Sequence, residues 1–173
     1  PEPECINTLQ YACYIRGTEA VKQIIEAEPE LANEIVRDPR SDFPERTALL
    51  ILCEGAAPTG EADRTELSET ILALLNCMNP IRIIATTPVD EGHQNFAHIL
   101  SGHNEKTKLL QDAMFWLCQE PKASPLFKDW SAFIENWENI TVEKGAWDYC
   151  GGNLLNVEDG FGRGRLDIAL AQT

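Results

Sequence analysis

The chain has 173 residues, 43% hydrophobic and 24% charged, an ordinary composition for one globular domain long enough to bury a core. Fourteen Lys and Arg stand against 28 Asp and Glu, a formal net charge of −14. That balance argues against nucleic acid and anionic membrane surfaces and favours a basic peptide or basic protein patch as partner, with solubility alone as the plainer explanation.

In chain order, residues 1–4 (Pro-Glu-Pro-Glu) have neither the basic nor the apolar region of a signal peptide. With no initiator Met and an end inside a helical pattern, the chain reads as a domain from a longer protein. Residues 5–36 read as a helix pair. Leu9, Ala12 and Cys13 line one face of its first helix. Thr18 is the expected N-cap of the second, with Val21, Ile24 and Ile25 inward. Residues 37–46 are turn-formers and make a loop. Phe43 has no apolar periodicity around it, so it either anchors the loop to the core or offers an aromatic to a partner. A helix returns over 47–53, and 56–60 is a second loop.

The strongest helix is expected over 63–79. Asp63 and Glu66 have capping-box spacing, Leu67, Ile71, Leu74, Leu75 and Met78 repeat on one face, and Pro80 ends it. Residues 81–87 are β-branched and could pass for a strand, followed by a turn at 88–92. Another short helix carries His98. The helix after it, over 104–118, turns Leu109, Leu110, Ala113, Met114 and Leu117 inward. Phe127, Trp130, Phe133 and Trp137 form an aromatic stripe, which is a core pattern before it is a site. Residues 144–152 form a loop. Gly160, Gly162 and Gly164 then permit a tight turn into a last short helix with Leu166, Ala169 and Leu170 on one face.

Chemistry is sparse. The six cysteines include no CxxC pair, and four sit among aliphatic residues, which suits free buried thiols in a reducing interior. The expected location is intracellular, cytoplasmic or nuclear, where the acceptor pattern at Asn139 would stay unmodified. No run approaches 18 apolar residues, so no membrane span is expected. His93, His98 and His103 are spaced five apart, which spreads them around a helix instead of converging them on a metal. There is no Walker loop, no Gly-x-Ser-x-Gly and no His-Glu-x-x-His. No catalytic, cofactor-binding or metal-binding residue is therefore named.

Short helices with small residues on one face recur at 7–13, 47–53, 92–103 and 164–171. They match, loosely, the pattern Gly-x-Thr-Pro-Leu-His-x-Ala-Ala…Gly-His…Val-x-x-Leu-Leu, and the chain resembles an ankyrin-repeat protein. Taking the Leu of that pattern as marker gives Leu9, Leu49, Phe96 and Leu166, spaced 40, 47 and 70 residues apart. A unit of about 33 residues then needs insertions, and the longest gap leaves room for a further repeat at Ser124-Pro125-Leu126.

The resemblance implies an all-α fold, an ankyrin-repeat-like solenoid of stacked antiparallel helix pairs with extended finger loops. It would be a single divergent domain over 1–173, with repeats starting near 5, 45, 92 and 160, and near 122 if the gap holds one. His98 and His103 would be hydrogen-bonding residues that stitch adjacent repeats.

The function implied is a protein–protein interaction module, a scaffold or adaptor, using its concave face of fingers and inner helices. The inner-helix contact positions would be Tyr11, Ile51, Ile99 and Ile168, with Tyr14 and Glu54 one helical step on. The fingers would add Arg40, Asp42, Phe43, Asp90, Glu91 and His93. An aromatic anchor among carboxylates suits a basic, partly apolar peptide; a second copy of the chain or a neighbouring domain of its parent would also fit. The competing reading is a small helical enzyme using acid/base carboxylates. It predicts an enclosed pocket with a carboxylate of raised pKa, whereas the module predicts an open face.

Overall fold

The helices that organise this chain are too short to stand alone. The structure, a computed structural model, describes residues 6–119 apart from 84 and 93. The expected starts near 122 and 160, the aromatic stripe, the unit around Leu166 and Ile168, Asn139, Cys5, Cys150 and His93 all lie outside the described residues. Seven α-helices follow one another within them: α1 (Thr8–Tyr14), α2 (Thr18–Ala27), α3 (Ala48–Glu54), α4 (Glu61–Cys77), α5 (Pro80–Ile83), α6 (Phe96–Ser101) and α7 (Thr107–Gln119). Short 3₁₀ turns lie at Pro29–Asn33, Val89–Glu91 and Asn104–Lys106. Among the described residues there is no strand, and that part of the chain is all-helical.

α1, α3 and α6 span only 7, 7 and 6 residues, below the ~12 residues at which an isolated helix becomes even marginal in water. Their formation rests on caps and on neighbours. Asn7, Thr47 and Asn95 each accept a hydrogen bond from the backbone N–H three residues on, at 2.7, 3.2 and 3.0 Å. In α1 the Asn7 N–H donates in return to Gln10 Oε1, and in α6 the Asn95 N–H donates to His98 Nδ1. His98 thus closes the cap of its own helix.

Counted from these caps, Gln10, Leu50 and His98 are equivalent and buried, and Cys13, Cys53 and Ser101 form another buried set. The same count corrects the expected alignment of Phe96 with Leu9 and Leu49. Phe96 is the first helical residue after its cap, and Ala97 holds the equivalent place. The large ring is still fully buried, one position earlier.

α3 lies between α1 and α6, and α4 lies between α2 and α7, while α1 also packs on α2, α3 on α4, and α6 on α7. The core runs between these two layers, through Leu9, Leu49, Leu52, Ile71, Leu74, Leu75, Phe96 and Leu110. Polar side chains tie successive elements. In the layer of α2, α4 and α7, Thr18 pairs with Glu66, Lys22 with Glu69 at 3.4 Å, and Ser68 Oγ donates to Asp112 at 3.0 Å. The buried Lys106 ammonium donates to the Cys53 and Gly55 carbonyls, both at 2.8 Å, and so caps the end of α3 from the turn before α7. Burial holds its pKa below the ordinary lysine value. Asn33 does the same for α4, accepting from the Asn79 N–H at 2.6 Å and donating to the Cys77 carbonyl at 3.4 Å.

Three local expectations change. Gly17, not Thr18, precedes α2 as its N-cap, and the Thr18 hydroxyl is spent on Glu66. α4 starts two residues earlier than expected, after Gly60, so Asp63 lies inside its first turn. There its carboxylate accepts from the Thr59 N–H at 2.9 Å and favours the helix's positive end. The strand-like run after Met78 instead opens as α5, because Pro80 at the first helical position lacks only an N–H that the helix leaves unpaired anyway.

Candidate functional site

Two loops lead into α3 and α6, and each is closed at its base by backbone hydrogen bonds. In the first, the Val36 N–H donates to the Arg46 carbonyl at 2.9 Å and the Glu45 N–H to the Val36 carbonyl at 2.8 Å. Glu45 takes a left-handed φ of 60° to make that closure. In the second, the Thr87 N–H donates to the Gln94 carbonyl at 2.9 Å, and the Gln94 N–H returns to Thr87 Oγ1 at 3.0 Å. Gly92 turns this loop at φ 100°, a conformation that suits a residue without Cβ.

The expected contact residues fall into two clusters and some outliers. Tyr11 and Tyr14 project from α1, 40% and 47% exposed. Their ring centroids are 6.5 Å apart, and Phe43, from the first loop, packs 4.9 Å from Tyr14. Phe43 is half-buried and also meets the core, so it anchors the loop and completes an aromatic surface at once. Asp42 next to it is exposed.

The second cluster is charged, and its centre was missed by sequence reasoning. Arg46, read only as the last residue of a loop, is buried. Its guanidinium forks onto Glu54 at 2.6 and 3.0 Å, and it meets both oxygens of Glu91 at 3.3 and 3.2 Å. It also donates to the Pro44 carbonyl at 3.2 Å. Burial works against this cation, but the hydrogen bonds to Glu54 and Glu91 outweigh it and raise its pKa further above its ordinary value. Arg46 thereby ties the first loop, the end of α3 and the second loop together. Its backbone N–H donates to the Phe43 carbonyl at 3.3 Å, which links the charged cluster to the aromatic one.

Register brings the clusters side by side. Tyr14 and Glu54 are each the seventh residue after their caps, on adjoining α1 and α3. Tyr14 of the aromatic cluster and Glu54 of the charged one therefore hold the same register on neighbouring helices. The remaining expected residues lie elsewhere or lower. Ile51 is 3% exposed and belongs to the core, because α3 is covered on both sides by α1 and α6. Ile99 is half-buried. Arg40 is exposed and paired with Asp38 at 3.2 Å, and Asp90 is exposed beside Glu91 in the second loop.

A cleft of 580 Å³ opens elsewhere, between Ile6, Asn7 and Gln10 and residues 33–38; none of the expected contact residues lines it. Within the described residues, no group of three His, Cys, Asp or Glu side chains is placed to hold a metal ion, and no helix is long and apolar enough to cross a membrane. Comparison with protein-family models, with curated proteins and with solved structures finds no match to this chain.

Proposed function

We propose that the protein is an interaction module, a divergent ankyrin-repeat-like stack of antiparallel helix pairs that binds a basic protein or peptide. The observation that carries the reading is the face where α1, α3 and the two closed loops meet. Tyr11, Tyr14 and Phe43 pack in a row there, and Glu54 and Glu91 share the guanidinium of Arg46, whose backbone N–H bonds the Phe43 carbonyl. Such a face offers apolar area on a chain whose formal net charge is −14, and buried aromatic anchors supply most of the binding free energy in many interfaces.

The ordering of helices supports the same reading. α1, α3 and α6 follow one another in one layer and α2, α4 and α7 in the other, so each pair contacts the next. In repeat stacks of this kind the contact face is shared between neighbouring units. The chain would act as a scaffold or adaptor inside the cell, with the net charge of −14 steering encounters with cationic partners.

Titration of the whole chain with a lysine-rich peptide at low and at physiological salt tests the proposal. Binding should weaken as salt screens the face. Affinity indifferent to salt, or equal for an acidic peptide of the same length, would rule the acidic face out as the binding surface.

A further inference from the structure

We infer that the aromatic row of this face receives an arginine side chain of the basic partner, a specific choice of residue that rests on the function proposed above. Tyr14 lies between Tyr11 and Phe43, with rings tilted by 48° and 58° to its neighbours. Phe43 supports Tyr14 from the loop while both tyrosine rings keep area open to water. The exposed Asp42 adjoins Phe43 in sequence, and the Arg46 that holds Glu54 and Glu91 is tied to the Phe43 carbonyl through its backbone N–H.

Three kinds of side chain could approach such a surface, and they differ in what they satisfy. An aliphatic one covers the rings and leaves the surplus negative charge unanswered. A lysine ammonium answers the charge, but it is compact and strongly hydrated and gains little from ring faces. A guanidinium is flat and weakly hydrated, so it lies on a ring while its edge N–H groups reach carboxylates. The chain already uses this chemistry internally, where Arg46 forks onto Glu54 and Glu91 together. Arg46 and Lys106, whose ammonium interacts with Glu54, balance these two carboxylates, while the exposed Asp42 next to Phe43 and the exposed Asp90 next to Glu91 keep the face acidic.

The test uses the whole chain and a lysine-rich peptide with one central residue varied among arginine, lysine and citrulline. Arginine and lysine carry the same charge, so general attraction treats them alike. The arginine peptide should bind about two- to fivefold more tightly than the lysine peptide, with citrulline weakest. Tyr14→Leu should weaken both peptides and remove the arginine advantage, so that the two then bind alike; an arginine advantage that survives Tyr14→Leu would overturn the inference. If Tyr14→Leu disturbs the fold, as its thermal unfolding would report, Tyr11→Leu serves the same purpose.

Equal binding of arginine and lysine peptides, still sensitive to salt, would overturn this inference and leave the acidic interaction face standing. Absence of binding by any of the peptides at low salt would overturn both. Should sedimentation show a dimer that Tyr14→Leu dissociates and the arginine peptide does not disrupt, the occupant is a second copy of the chain and the inference is wrong.

Discussion

Arg46 joins the first loop and the end of α3 to the second loop, 45 residues further along the chain, and its cost when removed can be bounded. Its guanidinium is 7% exposed, while Glu54 and Glu91 remain about one-third exposed and keep part of their hydration. Arg46→Met would leave Glu54 and Glu91 without their shared cation, with Lys106 still acting on Glu54, so the loss should fall near ~2 kcal/mol, below that of a fully buried pair. Urea unfolding checks it against Arg40→Met, whose side chain is 89% exposed and should cost almost nothing.

Cys53 makes a second prediction, in pH. Burial pushes its thiol from the ordinary 9.0 up to about 12, with Lys106 pulling it partly back, and burial raises Cys13 as well. The folded value lies above the unfolded one, so Cys53 contributes fully below about pH 9 and its contribution is lost as pH rises through 9 towards 12. Between pH 7 and pH 10 the stability advantage of the parent over Cys53→Ala should shrink by about 1 kcal/mol. A constant difference would mean the thiol is not held neutral by burial.

Among the elements, the three short helices α1, α3 and α6 depend on their first residues more than on their propensities. Asn95 is fully buried, and its side chain accepts from the His98 N–H while its own N–H is answered by the His98 ring. Asn95→Ala removes the acceptor inside a dry site, where no water replaces it. A loss of about 1–2 kcal/mol is expected, with Asn95→Asp recovering part of it, both read from thermal unfolding. A loss confined to a few tenths would mean that packing alone holds α6. The C-terminal ends are served from a distance, α3 by Lys106 and α4 by Asn33. α1, α3 and α6 therefore carry their own start signals, while α3 and α4 borrow a stop from another element.

For the whole molecule, the order of contacts decides how damage spreads. α3 lies between α1 and α6, and Leu52 is among the largest fully buried side chains on it. Leu52→Ala should cost about 2–5 kcal/mol. Because neither neighbour can persist alone, amide exchange should accelerate in α1 and α6 together, while the outward side of α7 changes less. Exchange that quickened only within α3 would contradict mutual support across the layer of α1, α3 and α6.

Local chemistry wrote the helices, the two loops and the start signals into this chain, since periodicity and capping act over a few residues. α4 was expected over 63–79 and spans Glu61–Cys77, and the loop at 37–46 is where turn-formers placed it. Errors arose where a residue had two local uses. Thr18 could cap a helix or reach Glu66, and Pro80 could end one helix or begin another. The aromatic residues of the candidate face could be named from sequence, but their meeting could not. Tyr14 touches Phe43 and Arg46 reaches Glu91 only because α1, α3 and the loops are folded against one another. What residue order alone determined was the set of short helices and the acidity of the surface. Which carboxylates gathered on one buried guanidinium, and that Ile51 sank into the core, was decided by packing between segments up to 45 positions apart, a separation over which sequence pattern carries no register.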